Sequence, residues 1–251
     1  METPESNRDQ SVGSPRSKKG LARGIYLLPN LITTGALFSG FYAIIAAMND
    51  LLVSGAIAVV IAGFLDALDG RIARLTNTQS AFGVQYDSLS DMVAFGVAPA
   101  VLMFSWVLSD LGKVGWMVAF LYVACAALRL ARFNMAPEDK VFFGLASPGA
   151  AGILATTIWT WLDNFNQEVD LQFSIIISIF IIILALLMVS NVRYYSLKSF
   201  NLKGRVPFIY MLIVVFFFVV VAIYPPGVLL LMGTIYVFSG PTQWVIGRIK
   251  R

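Results

Sequence analysis

The sequence predicts an all-α integral membrane protein: a bundle of about eight transmembrane helices with a polar cavity open to the cytoplasm. Three observations carry this expectation. Mean hydropathy is +0.79, with 58% hydrophobic and 13% charged residues, which excludes an ordinary soluble domain. Apolar stretches recur along the chain and approach the ~20 residues that span a bilayer once their polar flanks are counted. With eight spans, all but one of the 18 lysines and arginines fall on the same side, the exception being Lys113; this bias identifies that side as cytoplasmic.

In chain order, residues 1–19 are rich in Ser, Pro and charge and are expected to form a disordered basic tail. The transmembrane domain then runs over 20–251. Lys18 to Tyr26 reads as a short basic helix on the cytoplasmic membrane surface. Apolar runs follow at Leu27–Met48, Leu51–Leu65, Met92–Leu108, Val114–Leu128, Gly144–Leu162, Phe173–Val189, Pro207–Tyr224 and Val228–Phe238. The polar segments Asp66–Arg74 and Asp87–Asp91 are expected to lengthen the helices beside them. Ala46-Ala47 closes the first run as a signal-peptide cleavage site would, but that run is long for a signal core and cleavage is not expected. The opposite side receives only Asn49-Asp50, Ser109–Lys113, Asp163–Leu171 and Pro225–Gly227. Trp106, Trp116, Trp159, Trp161 and Trp244 lie near span ends and read as interfacial belts.

The chain has no histidine and one cysteine, Cys125, in an apolar run. An intramolecular disulfide is impossible, and carboxylates are left as the base at neutral pH. The carboxylates that matter stand together. Asp66 and Asp69 are three residues apart, Asp87 and Asp91 four apart, so on helices each pair projects from one face. Both pairs flank one short polar loop. An ionised aspartate at the centre of a membrane helix costs about 2.5–3.5 kcal/mol. Two such charges 4 Å apart repel by roughly 4 kcal/mol at an effective dielectric of 20. Four together call for cations, and an all-oxygen donor set suits hard divalent ions; two of them balance the four charges.

The pattern Asp66-x-x-Asp69-Gly70-x-x-Ala73-Arg74, eight residues, Gly83-x-x-x-Asp87-x-x-x-Asp91 resembles the complete signature of the CDP-alcohol phosphotransferases. Flanking elements resemble the membrane-embedded phosphatidylserine synthases of that family: Leu28-Pro29-Asn30-Leu31-Ile32-Thr33-Thr34, Arg129-Leu130-Ala131-Arg132-Phe133-Asn134 and Phe143-Gly144-Leu145-Ala146-Ser147-Pro148. Ala146 departs from the proline expected there.

The resemblance implies an enzyme that takes CDP-diacylglycerol and L-serine to phosphatidylserine and CMP, with two Mg2+ or Mn2+ ions as cofactors. It implies a homodimer in the bacterial inner membrane; no nucleic acid is expected as a partner. It makes Asp66, Asp69, Asp87 and Asp91 metal ligands, and Asp91 also the base for the attacking hydroxyl. Ser80 becomes a contact to the nucleotide. Gly70 and Gly83 either admit the nucleotide close to the backbone or allow tight helix packing. Arg74 is placed to pair with phosphate. Asn30 and Thr33 either contact the nucleotide or cap the first span. For the acceptor, Arg129, Arg132, Asn134 and Ser147 offer a cation for the carboxylate with amide and hydroxyl groups beside it; the two arginines read equally well as topology anchors. Other acceptors open to the same family are glycerol 3-phosphate, inositol phosphate and choline. A cation or proton transporter is a more distant reading, disfavoured because the aspartates flank a cytoplasmic loop rather than the bilayer midplane.

Overall fold

The computed structural model describes residues 18–76, 78, 80–135, 144–165, 169–192, 194 and 208–249. They form eight helices and no strand among the described residues. The helices are α1 (Lys18–Met48), α2 (Leu52–Leu75), α3 (Ala81–Leu111), α4 (Lys113–Met135), α5 (Ser147–Asn164), α6 (Leu171–Val189), α7 (Phe208–Ile223) and α8 (Pro225–Ile249). Among the described residues, five stretches are long and apolar enough to cross a bilayer: Leu27–Met48, α2, α3, α4 and α6.

The polar segments do lengthen their helices. Asp66 and Asp69 lie in the second half of α2, and Asp87 and Asp91 in the first part of α3. Two boundaries differ from the apolar pattern. Lys18 and Lys19, assigned from the sequence to the tail, begin α1, which continues into the first span without a break; the rest of the tail lies outside the described residues. The last helix starts at Pro225, in what reads from sequence as a loop, and extends well past Phe238. A proline at the first helical position lacks only an N–H that would be unbonded anyway, so Pro225 initiates the helix.

α1 packs along α2, α5 lies between α2 and α8, and α4 packs on α6. Small residues set the close approaches, as expected where no water drives helices together. A Cβ on Gly40 would lie 2.6 Å from the Cα of Ala94, so α1 meets α3 backbone to backbone.

That contact falls where α3 widens into a π-helical turn, Met92–Val97, directly after Asp91. Pro99 has no N–H to offer the carbonyl of Phe95 four residues earlier. The hydroxyl of Tyr122, fully buried on α4, donates to that carbonyl at 3.1 Å. The irregular stretch beneath Asp91 is thus fixed by a neighbour rather than left loose.

At the other end of the bundle the interfacial reading fails for Trp106, while Trp161 is half-buried. Trp106 is buried and meets Phe173 edge-on, and Trp161 stacks on Phe173 at 4.0 Å between ring centroids. Trp116 is exposed, as the belt reading expects. Cys125 is buried and free.

Candidate active site

α2 and α3 descend on either side of the short connection at residues 76–80. A 24-residue helix keeps Asp66, Asp69, Gly70, Ala73 and Arg74 along one strip. α3 starts where Ser80, in extended conformation, caps it by accepting from the Gly83 N–H at 2.9 Å. Asp87 and Asp91 follow nearly two and nearly three turns into that helix. The two helices bring carboxylate oxygens of Asp66, Asp69 and Asp87 within 4.8 Å of one another.

Asp91 stands beside this trio, hydrogen-bonded to Asp66 and within electrostatic reach of Arg129. All four open on one cavity of about 670 Å³, large enough for a nucleotide headgroup. Its walls include Asn30, Thr33, Gly70, Arg74, Ser80, Gly83 and Arg129, together with Thr78, Ala146 and Pro148.

Thr33 and Asn30 do not cap α1, which begins three turns earlier. Thr33 is buried, and its hydroxyl lies 2.6 Å from Oδ2 of Asp69 and 3.0 Å from the Pro29 carbonyl. It orients a carboxylate of the trio, the role of a neighbour that holds a ligand in place.

The two glycines separate into different tasks. A Cβ on Gly70 would meet nothing nearer than the Arg74 guanidinium at 3.9 Å, so its missing side chain leaves cavity space open. A Cβ on Gly83 would stand 3.1 Å from Ser80 Oγ and 3.3 Å from Asn30 Oδ1. Gly83 keeps the cap and α1 in contact. The Nε of Arg74 donates to the Gly70 carbonyl at 2.8 Å, which anchors one edge of its guanidinium at the cavity wall.

The four residues suggested for the acceptor divide as well. Arg129 lines the cavity, and its Nη1 donates to the buried Ser147 hydroxyl at 2.6 Å. Its Nε is buried without a partner. Ser147 therefore holds the arginine from behind and is not itself part of the wall. Arg132, on the neighbouring face of α4, donates to Asn191 Oδ1 at 2.8 Å just beyond the end of α6. Asn134 accepts from Ser88 at 3.1 Å. Neither is among the residues lining the cavity.

The turn before α5 depends on Gly144, at φ +82°, a backbone conformation open to glycine at little cost. Its N–H and that of Leu145 bond the carbonyls of Val192 and Leu187, which docks the start of α5 on the end of α6. Two contributors escaped the sequence reading. Thr78 carries no charge, and Tyr236, which faces Arg129 from α8, is more than 100 residues away in a helix with no polar motif.

Residues 26–238 match the family model of the CDP-alcohol phosphatidyltransferases. The chain is 36% identical over 231 residues to the CDP-diacylglycerol–serine O-phosphatidyltransferase of Helicobacter pylori strain J99, covering 90% of this chain and 94% of that one. It is 34% identical over 206 residues to the protein of the same name from Methanocaldococcus jannaschii, covering 78% and 90% of the two chains. It is also 34% identical over 170 residues to the archaetidylserine synthase of Methanothermobacter thermautotrophicus, covering 66% and 69%. The chain belongs to the CDP-alcohol phosphatidyltransferase family, whose members are metal-dependent, and is a multi-pass membrane enzyme.

Proposed function

We propose that this enzyme transfers the phosphatidyl group of CDP-diacylglycerol to the hydroxyl of L-serine, giving phosphatidylserine and CMP. The observation that carries the proposal is the meeting of three carboxylates, a fourth carboxylate and the guanidiniums of Arg74 and Arg129 on a single cavity. The names of the relatives from Helicobacter and Methanocaldococcus favour serine among the family's acceptors.

The donor set of the trio is oxygen only and fits Mg2+ or Mn2+. Asp66, Asp69 and Asp87, with Asp91 adjoining, would hold two such ions. When bound, they supply charge neutralisation at the diphosphate and at the attacking and leaving oxygens. The remaining work belongs to the chain. Gly70 leaves room for the nucleotide, and Arg74 pairs with phosphate oxygens. Arg129 holds the serine carboxylate, because one guanidinium matches one carboxylate in paired N–H contacts. Asp91 takes the hydroxyl proton as the serine oxygen bonds to the lipid-side phosphorus and the bond from that phosphorus to the CMP oxygen breaks.

The test is CMP release by the purified protein with CDP-diacylglycerol, Mg2+ or Mn2+ and separate acceptors. Serine is expected to support release. Glycerol 3-phosphate, inositol phosphate and choline are expected to be poor. Release with one of these and not with serine overturns the acceptor while leaving the family intact.

We further propose that the site and both termini face the cytoplasm of the inner membrane, on the strength of the Lys and Arg distribution. On a Cys125→Ala background, an impermeant maleimide given to intact spheroplasts should modify Asp110→Cys and spare Leu75→Cys, both exposed positions. The reverse pattern would invert the topology.

A further inference from the structure

Arg129 is half-buried at the cavity wall with its Nε buried, and side chains that fix it decide where an acceptor carboxylate sits. One comes from α5: Ser147 accepts from its Nη1. The other comes from the last helix. The ring of Tyr236 lies over the first turn of α5, so close that a Cβ on Gly149 would stand 3.0 Å from its Cε1. Its hydroxyl accepts from the backbone N–H of Ala146 and stands within electrostatic reach of Arg129. Ala146 and Pro148, on either side of Ser147, line the cavity. Tyr236 therefore touches the segment that forms the wall and faces the cation set into it.

Tyr236 is itself held. Tyr194 packs on it at 5.5 Å between ring centroids, and the Tyr194 hydroxyl donates to the Val237 carbonyl at 3.2 Å. Both tyrosines are rigid side chains with few rotamers, and the contact is aromatic on one face and polar at the tip.

We infer that Tyr236 is a positioning residue that sets Arg129 and the first turn of α5 for the carboxylate of the acceptor. The inference rests on the serine reading above and extends it to a helix outside the aspartate motif. It acts through Arg129 and so belongs to acceptor binding, with no part in the proton transfer at Asp91.

The experiment compares steady-state kinetics of the full-length parent, Tyr236→Phe and Gly149→Ala in detergent with CDP-diacylglycerol. Tyr236→Phe removes only the hydroxyl; Gly149→Ala keeps the hydroxyl but shifts the ring by a few tenths of an ångström. Each is expected to raise the serine KM by about 10-fold, the upper range for one lost hydrogen bond. The CDP-diacylglycerol KM, kcat at saturating serine and the thermal unfolding midpoint should stay near those of the parent. A structural role alone would lower the midpoint without separating the two KM values. Unchanged serine KM in a folded Tyr236→Phe protein overturns the inference, as does an equal rise for both substrates. If Tyr236→Phe does not fold, Gly149→Ala decides by the same criteria. Should the parent release CMP only with a different acceptor, the serine reading fails, and Tyr236 is judged on the KM for that acceptor.

Discussion

Asp91→Asn is expected to lower kcat by about 10²- to 10⁴-fold, the range for losing a positioned general base, while CDP-diacylglycerol still binds. The reason lies in the geometry. Asp66, Asp69 and Asp87 form a compact oxygen cluster without Asp91. Asp91 adjoins that cluster and lies within electrostatic reach of Arg129, so a serine whose carboxylate is held by the arginine can bring its hydroxyl toward it. Asparagine keeps the shape and accepts no proton. Single-turnover measurement of CMP formation, with substrate binding followed separately, distinguishes the two effects. A loss of nucleotide affinity as deep as that in Asp66→Asn would make Asp91 chiefly a ligand.

Replacing any member of the trio should act on binding and turnover together. Asp66→Asn, Asp69→Asn and Asp87→Asn each leave two carboxylates where three lie within 4.8 Å. The expected fall in metal affinity exceeds the roughly 10- to 100-fold typical of losing an outer partner of a ligand. Thr33→Val supplies that milder case, since Thr33 meets Asp69 at 2.6 Å but offers no carboxylate. Its affinity for Mn2+ should fall within the 10- to 100-fold range, and excess metal should restore its activity. Excess metal should not restore Asp87→Asn. Titration of activity against Mn2+ concentration, on protein of parent-like unfolding midpoint, checks the order. Near-parent activity of Asp87→Asn at low metal would remove Asp87 from the ligand set.

The aspartates were legible in the sequence because helical spacing alone places i,i+3 and i,i+4 residues on one face, and a carboxylate in an apolar chain needs a reason. Their division into three and one was not legible. It depends on how α2 and α3 are placed side by side, which no local pattern encodes.

Arg129 and Arg132 show the same boundary. Three residues apart on a helix, they read as a pair, yet the 60° between their directions sends Arg129 to the cavity and Arg132 to Asn191 beyond α6. Thr33 was found as a polar residue at the right depth, though its tie to Asp69 is a contact 36 residues away that no local pattern encodes. The helix count survived because length and hydropathy are summed over many residues. The start of α8 did not, since a proline pair can end one helix or begin the next.

The central claim is that this cavity moves a phosphatidyl group, and hence that attack falls on the lipid-side phosphorus. CDP-diacylglycerol carrying 32P at that phosphorus should be incubated with the purified parent enzyme, L-serine and Mn2+, and the products separated into lipid and aqueous phases. All transferred label is expected in phosphatidylserine and none in CMP, with transfer by Asp91→Asn slowed about 10²- to 10⁴-fold. Label recovered in phosphatidic acid with the CMP joined to serine, or label released into the aqueous phase with the nucleotide, would contradict the claim.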